Sequence, residues 1–154
     1  MLIDRRQLLL LLAGVGPALP KPARATASRY PAVRVYKDWA CGCCSDWVKH
    51  IKANGFEASV ENRSDVNSLK RKFGVPEGLR SCHTAIASGY VLEGHVPAKE
   101  IIRLLAERPK ALGLAVPGMP SGAPGMDGPA QPAGPYVVMI FDKNGTYKSF
   151  ASYE

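Results

Sequence analysis

Several features that mark other classes of protein are missing from this chain. No cluster of lysine and arginine interleaved with aromatic residues accompanies its formal net charge of +7, so the charge gives no argument for nucleic-acid binding. No internal repeat is present. The apolar run at residues 8–18 is too short to span a bilayer comfortably, which argues against a membrane anchor. A chain of 154 residues has room for one compact domain and not for two.

Cysteine is also scarce, and its distribution is uneven. Of the four cysteines, three lie in the run Cys41-Gly42-Cys43-Cys44, and the fourth is Cys82, which His83 follows. Bridges between near neighbours in sequence contribute little stability, and a Cys43–Cys44 bridge would be strained. As a structural disulfide framework the arrangement is therefore poor, and it points to a metal site or a redox couple.

The N-terminus has the pattern of an export signal. Arg5 and Arg6 precede the apolar run, Pro20 ends it, and small-residue cleavage patterns follow at residues 23–27. We predict that residues 1–25 are a cleaved signal peptide, that no stable membrane span is left after cleavage, and that the protein is periplasmic. The paired arginines resemble a twin-arginine signal, whereas the leucine-rich run suits the general secretory route, so both routes stay open.

The remaining sequence alternates between strand-like and helix-like periods. The predicted elements are a strand at residues 32–36, a helix at 45–54, a strand at 56–60, a helix at 64–73, a hairpin at 85–92 and a helix at 97–107. This order is typical of a thioredoxin-like domain. We therefore predict an α/β fold, a mixed β-sheet flanked by helices, in a single domain at residues 30–154.

The composition changes sharply at residues 113–135. Glycine, proline and alanine dominate there with almost no charge, so we predict a loop that is neither a helix nor a central strand. Met119 and Met126 lie in this loop, where no apolar periodicity explains them as core residues. After the loop, Asn144-Gly145 between two apolar runs predicts a C-terminal hairpin.

A thioredoxin-like fold would bring the cysteines together. It places a Cys-x-x-Cys pair such as Cys41 and Cys44 at a helix N-terminus, where unpaired N–H groups and the helix dipole stabilise thiolate. The segment before its third strand packs against that motif, so we expect Cys82 and His83 to lie beside the cluster.

Three chemistries remain open at such a cluster. A thiol-disulfide oxidoreductase would use Cys41 and Cys44 and leave Cys43 without a task. A structural zinc domain would take Cys41, Cys44, Cys82 and His83 as its four ligands. A copper cluster is the third chemistry. Adjacent cysteines such as Cys43 and Cys44 point in divergent directions, so they suit neighbouring ions in a cluster. Thiolates together with thioether sulfur select the soft ion Cu(I). The crowding favours the copper site.

The motifs of this chain resemble those of the CopG-like family of periplasmic metal-binding proteins, which is linked with bacterial copper resistance. The resemblance spans about residues 31–153 and is carried by the cysteine run, by Ser81-Cys82-His83-Thr84, by Glu93-Gly94-His95-Val96-Pro97, and by the proline- and methionine-containing segment at residues 113–126. It implies a thioredoxin-like fold and a thiolate site for several copper ions. The implied role is copper resistance, transfer or redox handling, with copper ions and other periplasmic copper-handling proteins as partners.

Carried over position by position, the resemblance implies that Cys41, Cys43, Cys44 and Cys82 are copper ligands. His83, His95, Met119 and Met126 form a second tier of candidates. No catalytic residue is predicted, and the enzyme question stays open between metal binding and oxidoreductase activity. We expect Trp39 and Trp47 to pack around the motif, and His50 to be a surface residue outside the site.

Overall fold

The computed structural model describes residues 28–126 and 133–154. Within these ranges the chain forms one seven-stranded mixed sheet and three α-helices. The predicted signal peptide, at residues 1–25, lies outside the described residues. Among the described residues, no helix has the length and apolar character needed to cross a membrane.

The elements follow the predicted order as far as the third helix. In chain order they are β1 (Val33–Lys37), α1 (Gly42–Ala53), β2 (Ala58–Asn62), α2 (Val66–Lys72), β3 (Thr84–Ala87), β4 (Tyr90–Glu93), α3 (Ala98–Glu107), β5 (Gly113–Ala115), β6 (Tyr136–Phe141) and β7 (Tyr147–Tyr153). A short 3₁₀ turn, Glu77–Leu79, lies between α2 and β3.

The strands lie in the order β2-β1-β3-β4-β5-β6-β7. β1 pairs with β2 and β4 with β5 in parallel, while the other neighbours are antiparallel, including the predicted C-terminal hairpin of β6 and β7. The predicted α/β fold with a mixed sheet is therefore confirmed. The narrower thioredoxin-like class stays a prediction.

The prediction that residues 113–135 contain no central strand was wrong. Gly113–Ala115 forms β5, which is buried between β4 and β6. A Cβ atom built on Gly113 would lie 1.8 Å from the Val91 carbonyl oxygen, so the close approach of the two strands requires glycine at this position. Leu114, fully buried in the core, supplies the apolar contact that stabilises the strand.

The predicted apolar spacing of the first helix is reproduced by its burial. α1 buries Trp47, Val48 and Ile51, as predicted, and also Cys44. The helix begins earlier than predicted, at Gly42, so Cys43 and Cys44 lie in its first turn and Cys41 directly precedes it. This placement matters for the site because it fixes three sulfur atoms on one short segment.

Candidate metal centre

Sheet register brings the site residues to one edge of the sheet. Tyr36, near the end of β1, pairs with Thr84 at the start of β3, and Thr84 also pairs with Glu93 at the end of β4. The end of β1, the start of β3 and the end of β4 therefore lie at the same edge of the sheet. The cysteine run follows β1, the Cys82-His83 pair precedes β3, and the His95 segment follows β4. Antiparallel pairing thus explains how cysteines far apart in sequence can meet.

A turn at the end of β1 leads the chain into the cysteine run. The Cys41 N–H donates to the Asp38 carbonyl at 3.1 Å, and the Ala40 N–H donates to Asp38 Oδ1 at 2.8 Å. Cys41 has extended backbone and stands directly before α1, while Cys43 and Cys44 lie in the first helical turn. Cys44 is fully buried, Cys41 is half-buried, and Cys43 is half-buried as well.

Four sulfur atoms form the first candidate group. The sulfurs of Cys41, Cys43, Cys44 and Cys82 all lie within 4.8 Å of one another. Cys41 and Cys44 are joined by a disulfide with a Cα–Cα distance of 5.4 Å, and the Cys43 sulfur lies 3.6 Å from that of Cys41. The expected contact of Cys82 with the cysteine run is therefore present in the structure.

A second group shares Cys82 with the first. The Cys82 sulfur lies 3.0 Å from His95 Nε2 and 3.4 Å from His83 Nδ1, and one ligand atom from each of the three residues lies within 4.8 Å of the others. Soft metal ions accept both thiolate and imidazole ligands. Cys82 thus connects a sulfur-rich group to two imidazoles.

The orientation of His95 is fixed by a backbone carbonyl. His95 Nδ1 lies 2.7 Å from the Pro124 oxygen, which can only accept, so Nδ1 carries the proton and Nε2 presents a lone pair toward Cys82. Burial lowers the pKa of His95, which favours the neutral ring that metals bind. A hydrogen bond of this kind orients metal-binding histidines in many sites.

His83 is completely buried beneath the thiols. Its ring lies 4.4 Å from the Trp47 ring and 5.1 Å from that of His95, measured between centroids. Burial, followed by the nearby His95, Lys70 and Lys37, lowers the pKa of His83 well below its usual value. Its Nε2 has no hydrogen-bond partner among the residues that the structure describes, which costs free energy in a protein without a ligand. A neutral imidazole with such a nitrogen fits a soft-metal site.

The environment of Cys82 keeps its thiol protonated. Burial, with a smaller contribution from the nearby Cys43, raises the pKa of Cys82 to about 12. Because a metal binds the thiolate, loading at neutral pH has to displace this proton.

The methionine-containing segment packs over the start of α1. Gly125, with a φ of +82°, lies so close to the helix that a Cβ atom would be 2.9 Å from the Cys43 carbonyl oxygen. The Ser81 hydroxyl donates to the Gly118 carbonyl in the same segment. Met126 is partly buried against the main core, and Met119 is 59% exposed.

Comparisons with known proteins place this chain in a family. A family model described as "Protein of unknown function, DUF411" matches residues 79–126, and a comparison with curated proteins found no match. The solved structure "Copper resistance protein copG- Form 2" is 41% identical, with a TM-score of 0.76, and the match covers 81% of this chain and 99% of that chain. The chain belongs to the CopG family. The structure "Copper resistance protein copG- Form 1" is also 41% identical, with a TM-score of 0.75 and coverage of 80% and 98%.

The two tryptophans near the CopG-family cysteine motif differ in their surroundings. Trp47 is buried, contacts His83 and donates from Nε1 to the Val96 carbonyl at 2.8 Å, as expected of a residue packed around the motif. The same expectation for Trp39 was wrong, because its side chain is 78% exposed. Its position in the turn before Cys41 directs it to solvent rather than over the thiols.

His50 is not a simple surface residue. It is half-buried on α1, and its Nε2 accepts from the Ala98 N–H at 3.1 Å, at the start of α3. The prediction placed it at the surface because lysines lie close to it in sequence. Its partner lies 48 positions away, so no local pattern could indicate the contact.

A buried ion pair beneath the CopG-family motif was not predicted. Lys70 Nζ lies 2.6 Å from Glu93 Oε1, and both side chains are almost completely buried. Lys37 is buried as well and donates to the Asp38 carbonyl at 2.8 Å. The available signal was weak: Glu93 is an acidic residue that ends the otherwise apolar strand β4.

Proposed function

We propose that this protein binds Cu(I) through a cysteine-thiolate cluster and serves copper resistance, as a store, a transfer protein or a redox-handling protein. The observation that carries the proposal is the convergence of four cysteine sulfurs within 4.8 Å. The proposed ligands are Cys41, Cys43, Cys44 and Cys82. His83 and His95 extend the set at Cys82, and Met119 and Met126 are further candidates.

The composition of the ligand set supports copper over harder metals. Clustered thiolates select soft ions, and the neighbouring imidazoles also suit copper. Cys43 and Cys44 follow each other on the first turn of α1, so their side chains diverge and suit different ions. We therefore propose several copper ions per chain, with cysteine sulfurs shared between them. Copper is the cargo of this site.

Loading depends on the redox state of the site. The Cys41–Cys44 disulfide has to accept two electrons and two protons to give two thiols before both sulfurs can bind as thiolates. An added phosphine reductant supplies those electrons when the purified protein is titrated with Cu(I). Copper capacity should therefore be low in the oxidised protein and high in the reduced protein.

The proposal extends to domain organisation and location. Residues 30–154 form a single thioredoxin-like metal-binding domain, and residues 1–25 are a signal peptide that directs the chain to the periplasm. Both solved structures carry the name copper resistance protein copG, which supports a role in copper handling. Copper ions and other periplasmic copper-handling proteins are the proposed partners.

Metal analysis of the purified protein tests the proposal. The protein is isolated from the periplasm of cells supplied with both copper and zinc, and each metal is measured per chain. We expect more than one copper per chain, and less copper in the Cys82→Ser variant, because Cys82 belongs to both ligand groups. A single tightly held zinc ion, with loss of the fold on chelation, would establish the structural zinc alternative instead.

A thiol-disulfide oxidoreductase is the second candidate function. It is favoured by one observation, the Cys41–Cys44 disulfide at the start of α1, where the helix N-terminus stabilises a thiolate. Insulin reduction in the presence of a dithiol separates the two functions. Robust activity that survives Cys43→Ser, together with only one weakly bound copper ion, would favour the enzyme.

A further inference from the structure

The buried Lys70–Glu93 pair lies directly behind Cys82 and His83. Glu93 Oε1 accepts from Lys70 Nζ and from the Ser81 N–H, both at 2.6 Å. Its Oε2 accepts from the Thr84 hydroxyl at 2.7 Å, and Lys70 also reaches the Thr84 oxygen at 3.1 Å. One carboxylate therefore holds the residue before Cys82 and the residue after His83.

All of these partners of Glu93 are donors. An ammonium, a backbone N–H and a hydroxyl can all donate to a carboxylate, which accepts at both oxygens when ionised. Burial raises the pKa of Glu93, and the interactions with Lys70, Thr84 and Ser81 oppose that shift. Each oxygen of the Glu93 carboxyl group therefore has at least one donor within hydrogen-bond distance.

The surrounding backbone leaves the Cys82 segment little freedom. Gly94, with a φ of +71°, donates its N–H to the His83 carbonyl at 2.9 Å. A Cβ atom on Gly94 would lie 2.4 Å from Ser81 Oγ and 2.8 Å from the Val116 carbonyl oxygen. The end of β4 therefore packs tightly against the turn that presents Cys82.

Fold stability is a poor explanation for such a pair. Removing two charges from water costs several kcal/mol per ion, and well-packed apolar replacements are often neutral or stabilising. The hydrogen bonds of Glu93 instead converge on the two residues that flank Cys82 and His83. Their common effect is to fix the position of that dipeptide.

We propose that Glu93, charge-compensated by Lys70, is a positioning residue, which holds Cys82 and His83 in the geometry that the thiol cluster requires. Glu93 holds the dipeptide, and Lys70 neutralises and orients Glu93. Neither residue binds the metal. The inference rests on the proposed copper function where copper affinity is concerned, and on geometry alone where the distance between thiols is concerned.

Two double variants separate the hydrogen bonds from the charges. Lys70→Met with Glu93→Gln removes both charges but keeps an amide oxygen for the Ser81 N–H. Lys70→Met with Glu93→Leu fills a similar volume and removes every acceptor. Glu100→Gln is the matched control, because Glu100 is also a buried carboxylate but accepts from the Tyr153 hydroxyl at 2.8 Å rather than from the Cys82 segment. Circular dichroism and urea unfolding establish that each variant folds.

Copper affinity is the first measurement. Competition with a Cu(I) chelator should show affinity weakened about 10- to 100-fold in the leucine double variant, the range typical of lost support for metal ligands. The emission of the Cu(I)–thiolate centre should change in the same variant. The glutamine double variant and Glu100→Gln should resemble the wild type. Wild-type affinity and emission in a folded leucine variant would overturn the inference.

Thiol cross-linking tests the geometry without copper. With Cys41→Ser and Cys44→Ser, the only remaining thiols are Cys43 and Cys82, whose sulfurs lie within 4.8 Å. Diamide takes up two hydrogens as the two sulfurs join, and the rate is followed by loss of free thiol. Adding the leucine replacements should slow this reaction roughly tenfold or more, because small displacements of reacting groups are costly.

The two measurements distinguish the possible failures. If the wild type binds no Cu(I) but the leucine replacements slow cross-linking, the proposed function fails and the positioning role stands. If the wild type binds Cu(I) and cross-linking is equally fast with the leucine replacements, the positioning role fails and the copper function stands.

Discussion

At the scale of single residues, Cys82 is the side chain that connects the two candidate ligand groups. Its sulfur belongs to the four-sulfur group and also lies 3.0 Å from His95 Nε2. Cys82 is distant from the other three cysteines in the sequence. Its proximity to them in space could be predicted only from the expected fold. Its burial, in contrast, is a property of packing that no local pattern shows.

Burial makes the reactivity of Cys82 strongly pH-dependent. Its pKa of about 12 means that only a small fraction is thiolate near neutral pH. In a Cys43→Ser variant with the Cys41–Cys44 disulfide intact, Cys82 is the one free thiol. Burial is the larger cause of the shift and persists in this variant. We expect the iodoacetamide reaction rate to rise about tenfold per pH unit from about pH 8 to 10. A plateau near pH 9 would show an ordinary thiol.

The buried histidines make the metal-free protein sensitive to acid. Burial lowers the pKa of both His83 and His95, so below about pH 6.5 the unfolded chain binds protons that the folded chain does not. The folded state is therefore more stable at higher pH, and it loses stability as the pH falls below the pKa of histidine in the unfolded chain. The free energy of unfolding should fall by up to about 1.4 kcal/mol per pH unit for each histidine.

Urea unfolding between pH 5 and 8 measures this dependence. The comparison is between the wild type and a variant with His83→Gln and His95→Gln, which keeps His50. We expect the free energy of unfolding of the variant to depend less steeply on pH below about pH 6.5, where free histidine gains its proton. An unchanged slope would assign the acid sensitivity to other groups.

At the scale of elements, sequence periodicity predicted most of what the structure contains. Trp47, Val48 and Ile51 indicated α1 because they recur at helical spacing. All three lie on the buried face of the helix. β5 was missed because Gly113 resembles a loop residue in sequence, although close contact with Val91 is what requires it. Whether a glycine ends an element or lies within a tightly packed one depends on neighbours distant in the chain.

The ion pair was missed for a related reason. Lys70 and Glu93 are charged, and charged residues are mostly exposed, so composition places them at the surface. Their burial depends on α2 and β4 meeting behind the Cys82 segment. The cysteines of the site were recognisable from their residue type and spacing, whereas the residues that support them were not.

A side chain at Gly125, in the segment that covers α1, should destabilise the protein. In Gly125→Ala, the new Cβ would lie 2.6 Å from the Trp47 backbone nitrogen, in addition to the strain of a φ of +82°. Gly118→Ala is the matched control, because Gly118 has a φ of +68° but a Cβ atom added there would meet no atom within 4 Å. We expect the control to lose about 1 kcal/mol of unfolding free energy and Gly125→Ala to lose at least about 1 kcal/mol more.

Urea unfolding of the two variants checks this expectation. Gly125 also follows Pro124, whose carbonyl orients His95, so Gly125→Ala should weaken Cu(I) binding while Gly118→Ala should not. Equal losses of stability in both variants would mean that the loop can move away from α1 without cost.

At the scale of the whole molecule, one edge of the sheet collects every part of the site. β1 leads into the cysteine run, β3 begins after Cys82 and His83, and β4 leads into His95. β5 runs parallel to β4 and continues into the segment that covers α1. The central sheet thus positions the segments that leave its edge, and those segments carry the proposed ligands.

The redox state of this edge sets how many of its cysteines are free thiols. With Cys41 and Cys44 joined, only Cys43 and Cys82 remain as free thiols among the described residues. Reduction restores four sulfurs in one group. Copper capacity and disulfide state should therefore change together.

Anaerobic titration of the fully reduced protein with Cu(I) measures how many copper ions the cysteine cluster holds. We expect more than one tightly bound Cu(I) per chain, a lower stoichiometry in Cys43→Ser, and a much reduced capacity when the Cys41–Cys44 disulfide is left intact. A single weakly held ion per chain, unaffected by Cys43→Ser, would contradict the proposed copper cluster.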